Sequence, residues 1–157
     1  MAGKISLPNK DITFALGMGY NLGRAKNKTE SLAKFAARFE KPTVTSEKRT
    51  EYLGLSDKRQ AYLKGTAGWF MRAHVEKGKR TRNSIHPGDC ITLDLDYCTP
   101  AFLEELTNGE VCPEMAFFVH TTRSHTPEKP RARMVIPLKG QVDSEDYQKA
   151  SRIIRTH

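Results

Sequence analysis

The stretch Ile91-Thr92-Leu93-Asp94-Leu95-Asp96 alternates strictly between apolar and polar residues. This period of two is typical of a β-strand with one buried face, and it places the three apolar residues on that face. Asp94 and Asp96 then share the opposite face, with Cα atoms about 7 Å apart. Asp has a low strand propensity, and like charges side by side on a sheet repel. The presence of two aspartates side by side on a strand therefore calls for a stabilising interaction.

A divalent cation held by Asp94 and Asp96 would remove that repulsion. Carboxylate oxygens suit Mg²⁺ or Mn²⁺, and carboxylate pairs hold the two metal ions, about 4 Å apart, of many phosphoryl-transfer enzymes. The alternative is a solvent-facing strand at which the two charges discourage aggregation. The residues alone leave both alternatives open.

A second group of polar residues joins two further predicted strands, Met115–Thr121 and Arg131–Leu138. It contains a Ser-His pair, a lysine in a Pro-rich link, and two arginines that share one strand face by their spacing of two. Such side chains suit phosphate oxygens. The alternative is an ordinary basic hairpin. The candidate phosphate-binding residues are Ser124, His125, Lys129, Arg131 and Arg133.

Helices are predicted around these strands from apolar spacing and from capping residues. The predicted helices run from a Thr29 cap to about Phe39, from a Ser56 cap over Asp57–Lys64, over Ala101–Leu106 after Pro100, and from a Ser144 cap over Glu145 to about Arg155. A short strand is predicted at Ile12–Leu16. This order indicates an α+β fold, a small and mostly antiparallel sheet flanked by helices.

The charge of the 157-residue chain is uneven. Its formal net charge is +8, and residues 1–82 hold 18 basic and 7 acidic side chains against 8 and 11 in residues 83–157. A basic half suggests a polyanionic partner such as nucleic acid, and the alternative is a well-solvated surface. The candidate nucleic-acid-binding residues are Lys77, Lys79, Arg80 and Arg82.

The sequence also bears on the compartment. No apolar run approaches the roughly 18 residues of a membrane helix, and no apolar signal segment follows the first residues. The three cysteines have no CxxC spacing, which favours reduced structural thiols over zinc. We therefore expect a cytoplasmic protein without a membrane partner.

Two motifs together resemble a known family. Asp94-Leu95-Asp96 after an apolar strand, followed by Ser124-His125 ahead of Arg131-x-Arg133 and a Val-Ile-Pro-Leu strand, resembles the first and second motifs of archaeo-eukaryotic-type primases. The likeness is greatest to the primase-polymerase domains of phage and prophage replication proteins. Upstream, Glu51-Tyr52-Leu53 and the stretch from Lys64 to Phe70 resemble their lead-in, so the likeness extends firmly from about residue 47 to 155.

The resemblance implies a fold related to RNA-recognition modules and a DNA primase or polymerase activity. It implies that Asp94 and Asp96 bind catalytic Mg²⁺ or Mn²⁺, and that Ser124 and His125 contact the phosphates of an incoming NTP or dNTP. His125 thereby joins the two aspartates as a catalytic candidate. The partners would be a DNA template and primer.

The chain departs from the family pattern at its end. The family has a third acidic motif shortly after the helix that corresponds to Glu145–Arg155, and this sequence stops at His157. We therefore expect one domain, with a basic helical and loop lead-in (1–82) and a partial catalytic core (83–157). We also expect it to be inactive or weak alone, and to belong with the helicase region of a longer parent protein.

A different function class stays open beside the enzyme. The chain would then be a non-enzymatic nucleic-acid-binding module, with Tyr20, Trp69 or Phe70 stacking on bases. A metal nuclease is disfavoured, because the paired His-x-His of replication endonucleases is absent from the sequence.

Overall fold

Two small antiparallel sheets and five α-helices make up the described part of the chain, which is residues 7–19, 25–41, 44–78, 81 and 84–155 of the computed structural model. The elements in chain order are β1 (Asp11–Gly17), β2 (Lys26–Ser31), α1 (Leu32–Ala37), α2 (Arg49–Leu53), α3 (Asp57–Thr66), β3 (Trp69–Met71), β4 (Gly88–Leu95), α4 (Pro100–Asn108), β5 (Phe118–Thr121), β6 (Ala132–Val142) and α5 (Ser144–Arg155). The predicted α+β class is confirmed, although the strands form two sheets. None of the described helices has the length and apolar character needed to cross a bilayer.

The strands β4, β6 and β5 form one sheet, in that order, which we name the carboxylate sheet because β4 carries Asp94. In its register Leu93 lies opposite Met134, and Asp94 lies opposite Arg133. The apolar face of β4 packs with Met134 and with Leu106 of α4, and α5 covers the same face. The predicted division of this stretch into a core-facing side and a carboxylate-bearing side is confirmed.

The strands β2, β1 and β3 form a second sheet, which packs on the other face of the carboxylate sheet. Ile12 and Phe14 of β1 form a core with Phe35 of α1 and with Cys90 and Val135 of the carboxylate sheet. The ring centroids of Phe14 and Phe35 are 4.5 Å apart. This sheet lies in the half that was predicted as helices and loops with one short strand, so the lead-in has a sheet of its own.

The first helix was predicted to begin too early. Thr29 lies in β2 opposite Thr13, and Ser31 caps α1 by accepting a hydrogen bond from the backbone N–H of Lys34 at 3.3 Å. The strand β2 is polar and largely exposed, so it shows no alternation of apolar residues. Its pairing with β1 decides its conformation, and local sequence does not.

Other boundaries differ by a few residues. The strand β4 ends at Leu95, so Asp96 lies one residue beyond it. Asp143 caps α5 instead of Ser144, because its Oδ1 accepts hydrogen bonds from the second and third backbone N–H groups after it, at 2.8 and 2.9 Å. The predicted helix is present from Ser144 onward.

Candidate functional site

The two aspartates lie where β4 leaves the cover of the second sheet. On this face Cys90 is buried, whereas the side chain of Asp94 is 52% exposed and that of Asp96 is 43% exposed. Both carboxylates are therefore open to solvent at the carboxyl end of the strand.

Each aspartate is paired with an arginine from the neighbouring strand or from the residue that precedes it. Arg133 Nε donates to Asp94 Oδ1 at 2.7 Å, and Arg131 Nη1 lies 3.6 Å from Asp96 Oδ1. The antiparallel register produces this match, since Asp94 and Arg133 are direct partners. The guanidinium groups thus supply a counter-charge to the two carboxylates, which was one role considered for a bound cation. Ion pairs this exposed stabilise by at most about 1 kcal/mol, so a bound ligand can exchange for them.

His125 lies in the tight loop between β5 and β6, beside the second ion pair. The backbone N–H of Arg131 donates to His125 Nδ1 at 3.2 Å. Because Nδ1 accepts, the neutral ring carries its proton on Nε2 and can donate from there. Arg131 therefore links the histidine to Asp96, through its backbone on one side and its guanidinium on the other.

The loop that carries His125 is closed by its own hydrogen bonds. Thr122 N–H donates to the carbonyl of Arg131 at 2.9 Å, and Thr126 N–H donates to that of Lys129 at 3.1 Å. Lys129 N–H returns a hydrogen bond to Thr126 Oγ1 at 3.0 Å. The Lys129 side chain lies exposed on this loop, so the loop presents a cation next to the histidine.

Arg123 is a positioning residue for which we found no signal in the sequence. Its Nη2 donates to Thr45 Oγ1 at 2.7 Å and forms an ion pair with Glu47. Its Nη1 donates to the carbonyl of Leu63 in α3 at 3.4 Å, and its guanidinium lies 4.5 Å from the ring centroid of Tyr52. One side chain thus ties the His125 loop to α2 and α3.

Tyr52 is the second contact between this loop and α2. Its hydroxyl lies 3.4 Å from Ser124 Oγ, and the residue is buried. Ser124 therefore lies beside His125 with its hydroxyl oriented by a fixed aromatic side chain.

His120 lies beside the ion pairs on the neighbouring strand β5 of the carboxylate sheet. It lies opposite Arg133, stacks on Phe39 with ring centroids 4.2 Å apart, and donates from Nδ1 to the carbonyl of Thr121 at 3.2 Å. Burial lowers the pKa of His120, so the ring is neutral at pH 7. It packs beside Arg133 and adds no charge to the site.

The structure places only one of the predicted nucleic-acid-binding residues. Lys77 is exposed, has a left-handed backbone with φ of 51°, and pairs with Glu76 at 3.6 Å. Lys79, Arg80 and Arg82 lie outside the described residues, as does the stacking candidate Tyr20.

The other two stacking candidates have roles inside the fold. Trp69 Nε1 donates to the carbonyl of Gly19 at 3.0 Å. Phe70 packs on Phe35 with centroids 5.3 Å apart, and the guanidinium of Arg133 lies 5.3 Å from the centroid of Phe70. The contacts of Trp69 and Phe70 are therefore those of packing residues.

The carboxylates fit a metal ion only in part. Among the described residues, no group of three or more His, Cys, Asp and Glu side chains is arranged to hold one. Mg²⁺ commonly binds through one or two carboxylates together with substrate phosphates. Asp94 and Asp96 therefore fit a cation that arrives with a triphosphate, and they do not fit a metal held by protein ligands alone.

Comparison with known proteins gives one match. Residues 4–157 match the family model of the VapE N-terminal domain. No curated protein and no solved structure matches the chain.

Proposed function

The chain belongs to the family of VapE N-terminal domains, which are found in phage and prophage replication proteins, and we propose that it contributes metal-dependent nucleotidyl transfer of the primase-polymerase type. The observation that carries the proposal is the contact chain from Asp96 through Arg131 to His125, with Asp94 and Arg133 beside it. This arrangement brings two carboxylates, two guanidinium groups and an imidazole to one end of the sheet.

The ion pairs support a coupled exchange when a nucleotide binds. A triphosphate offers oxygens to Arg131 and Arg133, and the cation that accompanies it takes the released carboxylates. Each charge keeps a partner before and after binding, so the exchange leaves no charge unpaired. The nucleotide and the cation therefore bind together more tightly than either binds alone.

The chain's own residues have separate tasks in this proposal. His125 donates from Nε2 to a phosphate oxygen, and Ser124 offers a second hydroxyl contact beside it. Asp94 and Asp96 would hold Mg²⁺ or Mn²⁺, which when bound polarises the α-phosphate and neutralises developing charge. The overall reaction joins a primer 3′-hydroxyl oxygen to the α-phosphorus of an NTP or dNTP. Pyrophosphate leaves and the hydroxyl proton passes to solvent.

The test is a calorimetric titration of the chain with a nucleoside triphosphate, with and without Mn²⁺. We expect saturable binding that requires the cation and that is lost in the double variant Asp94→Asn/Asp96→Asn. The control is Glu104→Gln/Glu105→Gln, which removes two exposed carboxylates of α4 and should bind like the parent. Cation-independent binding, or a double variant that matches the parent, would refute the proposal.

A non-enzymatic nucleic-acid-binding module is the second candidate, and one observation favours it. The carboxylates already have guanidinium partners, so their repulsion does not require a cation. This candidate predicts DNA binding that weakens steeply with salt and is unaffected by Asp94→Asn/Asp96→Asn. The same double variant therefore separates the two candidates.

A further inference from the structure

A cavity of about 360 Å³ lies at the free edge of β4, between the segment after β3 and the first turn of α5. Its polar lining includes the side chains of Thr92, Ser144 and Gln148, and no acidic residue of the described chain lines it. The volume is within the range of small-ligand sites. The lining therefore offers neutral hydrogen-bonding groups around a space large enough for a ligand.

Arg72 lines this cavity, and none of the ion pairs among the described residues includes its guanidinium. The residue is only 7% exposed, and its Nη1 is buried without a hydrogen-bond partner in the described structure. The guanidinium lies 3.7 Å from the ring centroid of Tyr147, a contact with its face that leaves Nη1 without a hydrogen-bond acceptor. A buried charge without a partner is costly. Burial accordingly lowers the pKa of Arg72, although an arginine stays protonated.

The backbone makes room for this arginine. A Cβ atom at Gly88 would lie 2.7 Å from Arg72 Nη1 and 2.9 Å from the Arg72 carbonyl oxygen. Any side chain at residue 88 would therefore displace the guanidinium. Because Gly88 has no side chain, the guanidinium of Arg72 can pack against the edge of β4.

The aspartate whose charge acts on Arg72 is engaged in capping a helix. Asp143 is close enough for its charge to act on Arg72, but its Oδ1 caps α5. Glu145 and Asp146 follow it and share Lys149, at 2.9 and 3.6 Å. These acids make the rim at the start of α5 negative, so a long polyanion passing over it would be repelled.

The cavity adjoins the candidate nucleotide site. Phe70, which contacts Arg133, precedes Arg72 by two residues, and Thr92 precedes Asp94 by two residues on β4. A two-residue step in extended backbone is about 7 Å. The cavity therefore lies roughly one such step along the sheet from the Asp94–Arg133 pair.

We propose that this cavity binds a single phosphate group, as inorganic phosphate or as a terminal phosphate monoester, with Arg72 as its charged donor and Ser144 and Gln148 as neutral partners. The ligand supplies a counter-charge for Arg72, and the acidic side chains at the start of α5 disfavour a phosphodiester chain that continues past the cavity on that side. The inference rests on Arg72 and the cavity, and it does not depend on the activity proposed for Asp94 and Asp96.

The first test is an NMR titration of the wild-type chain with inorganic phosphate, with chloride at equal ionic strength as reference. We expect saturable shifts at the amides of Arg72, Thr92, Ser144 and Gln148. Arg72→Met should weaken the affinity by about tenfold or more, because it removes the charge-assisted hydrogen bonds. The exposed Arg49→Met is the matched control and should bind like the parent.

Other outcomes overturn the inference. If inorganic phosphate causes no shifts around the cavity of the wild-type protein, the proposed phosphate site is refuted. This result does not depend on whether Arg72→Met folds. The variant Arg131→Met/Arg133→Met, which removes the guanidinium groups of the nucleotide site, should retain the phosphate-induced shifts at the cavity, and this result separates the two sites. An oligonucleotide with a 5′-phosphate should compete with inorganic phosphate, and the same strand without it should not. Equal competition by both strands would refute the monoester assignment.

Discussion

At the scale of single residues, Arg123 decides how firmly Ser124 and His125 are held. Its guanidinium contacts Thr45, Glu47, Tyr52 and the carbonyl of Leu63. Four contacts from one side chain to three separate segments connect the loop between β5 and β6 to the rest of the fold. The residue therefore acts on the site through the two residues that follow it.

Replacement of Arg123 by methionine should loosen this loop. We expect a loss of about 1 to 3 kcal/mol in the free energy of unfolding, because Glu47 is left half-buried without its partner. Urea denaturation measures the loss, and calorimetry should show weaker triphosphate binding. Arg49→Met, on the exposed side of α2, should change neither quantity. Unchanged stability in Arg123→Met would show that these contacts are not formed in solution.

The three cysteines should differ in reactivity. Burial raises the pKa of the Cys90 thiol to about 12, and Cys112 is exposed. The thiolate is the reactive form, so an alkylating reagent at pH 8 should label Cys112 first and Cys90 only after unfolding. Mass spectrometry of the labelled peptides measures the order in which the cysteines are alkylated. Early labelling of Cys90 would show that the core between the sheets is open.

The same raised pKa has a consequence for stability. A thiol whose folded pKa lies above its unfolded value stabilises the fold fully at low pH, and that contribution is lost as pH rises from about 9 toward 12. In Cys90→Ala the midpoint of unfolding should therefore fall less steeply than in the parent as the pH rises from about 9 toward 12.

At the scale of elements, α1 joins the two sheets through one aromatic ring. Phe35 contacts Phe14 of β1 at 4.5 Å, Phe70 of β3 at 5.3 Å and Phe118 of β5 at 6.0 Å between ring centroids. The helix has only six residues, so its stability comes from this packing and not from its length.

Truncation of Phe35 should therefore affect both sheets at once. We expect Phe35→Ala to lower the free energy of unfolding by about 3 to 5 kcal/mol, through lost burial and the cavity that it leaves. Phe35→Leu keeps most of the volume and should cost less. Chemical denaturation followed by fluorescence of Trp69 and by circular dichroism should give one shared transition. Separate transitions would contradict the coupling.

The elements that could be predicted are those whose sequence carries a local signal. The strand β4 has strict alternation, and α4 has Pro100 after the capping residue Thr99, so both were found with small boundary errors. The strand β2 has exposed polar residues and could not be recognised without its partner β1. The cap of α5 was placed one residue late, because Asp143 and Ser144 are both good capping residues.

At the scale of the whole molecule, the candidate site depends on strand register. The sequence predicts that Asp94 and Asp96 share a face and that Arg131 and Arg133 share another. That the two faces lie together follows from the pairing of β4 with β6, a long-range contact for which neither strand carries a local signal. For the same reason the buried charge of Arg72 had no signal in the sequence.

The charge of the whole chain also has a testable role. The net charge of +8 favours association with polyanions, and phosphate contacts made by lysine and arginine release counter-ions. A DNA template would bind through phosphate contacts of this kind, while in our proposal the paired carboxylates bind the nucleotide with its cation. The two functions should therefore separate under salt, with template binding lost before nucleotide binding.

The most direct test of the nucleotide site is paramagnetic broadening of backbone NMR signals by Mn²⁺, measured with and without a non-hydrolysable nucleoside triphosphate. We expect broadening first at Asp94, Asp96 and His125, and only when the nucleotide is present. Broadening centred on the acids at the start of α5, with the signals of Asp94 and Asp96 still sharp, would contradict this expectation.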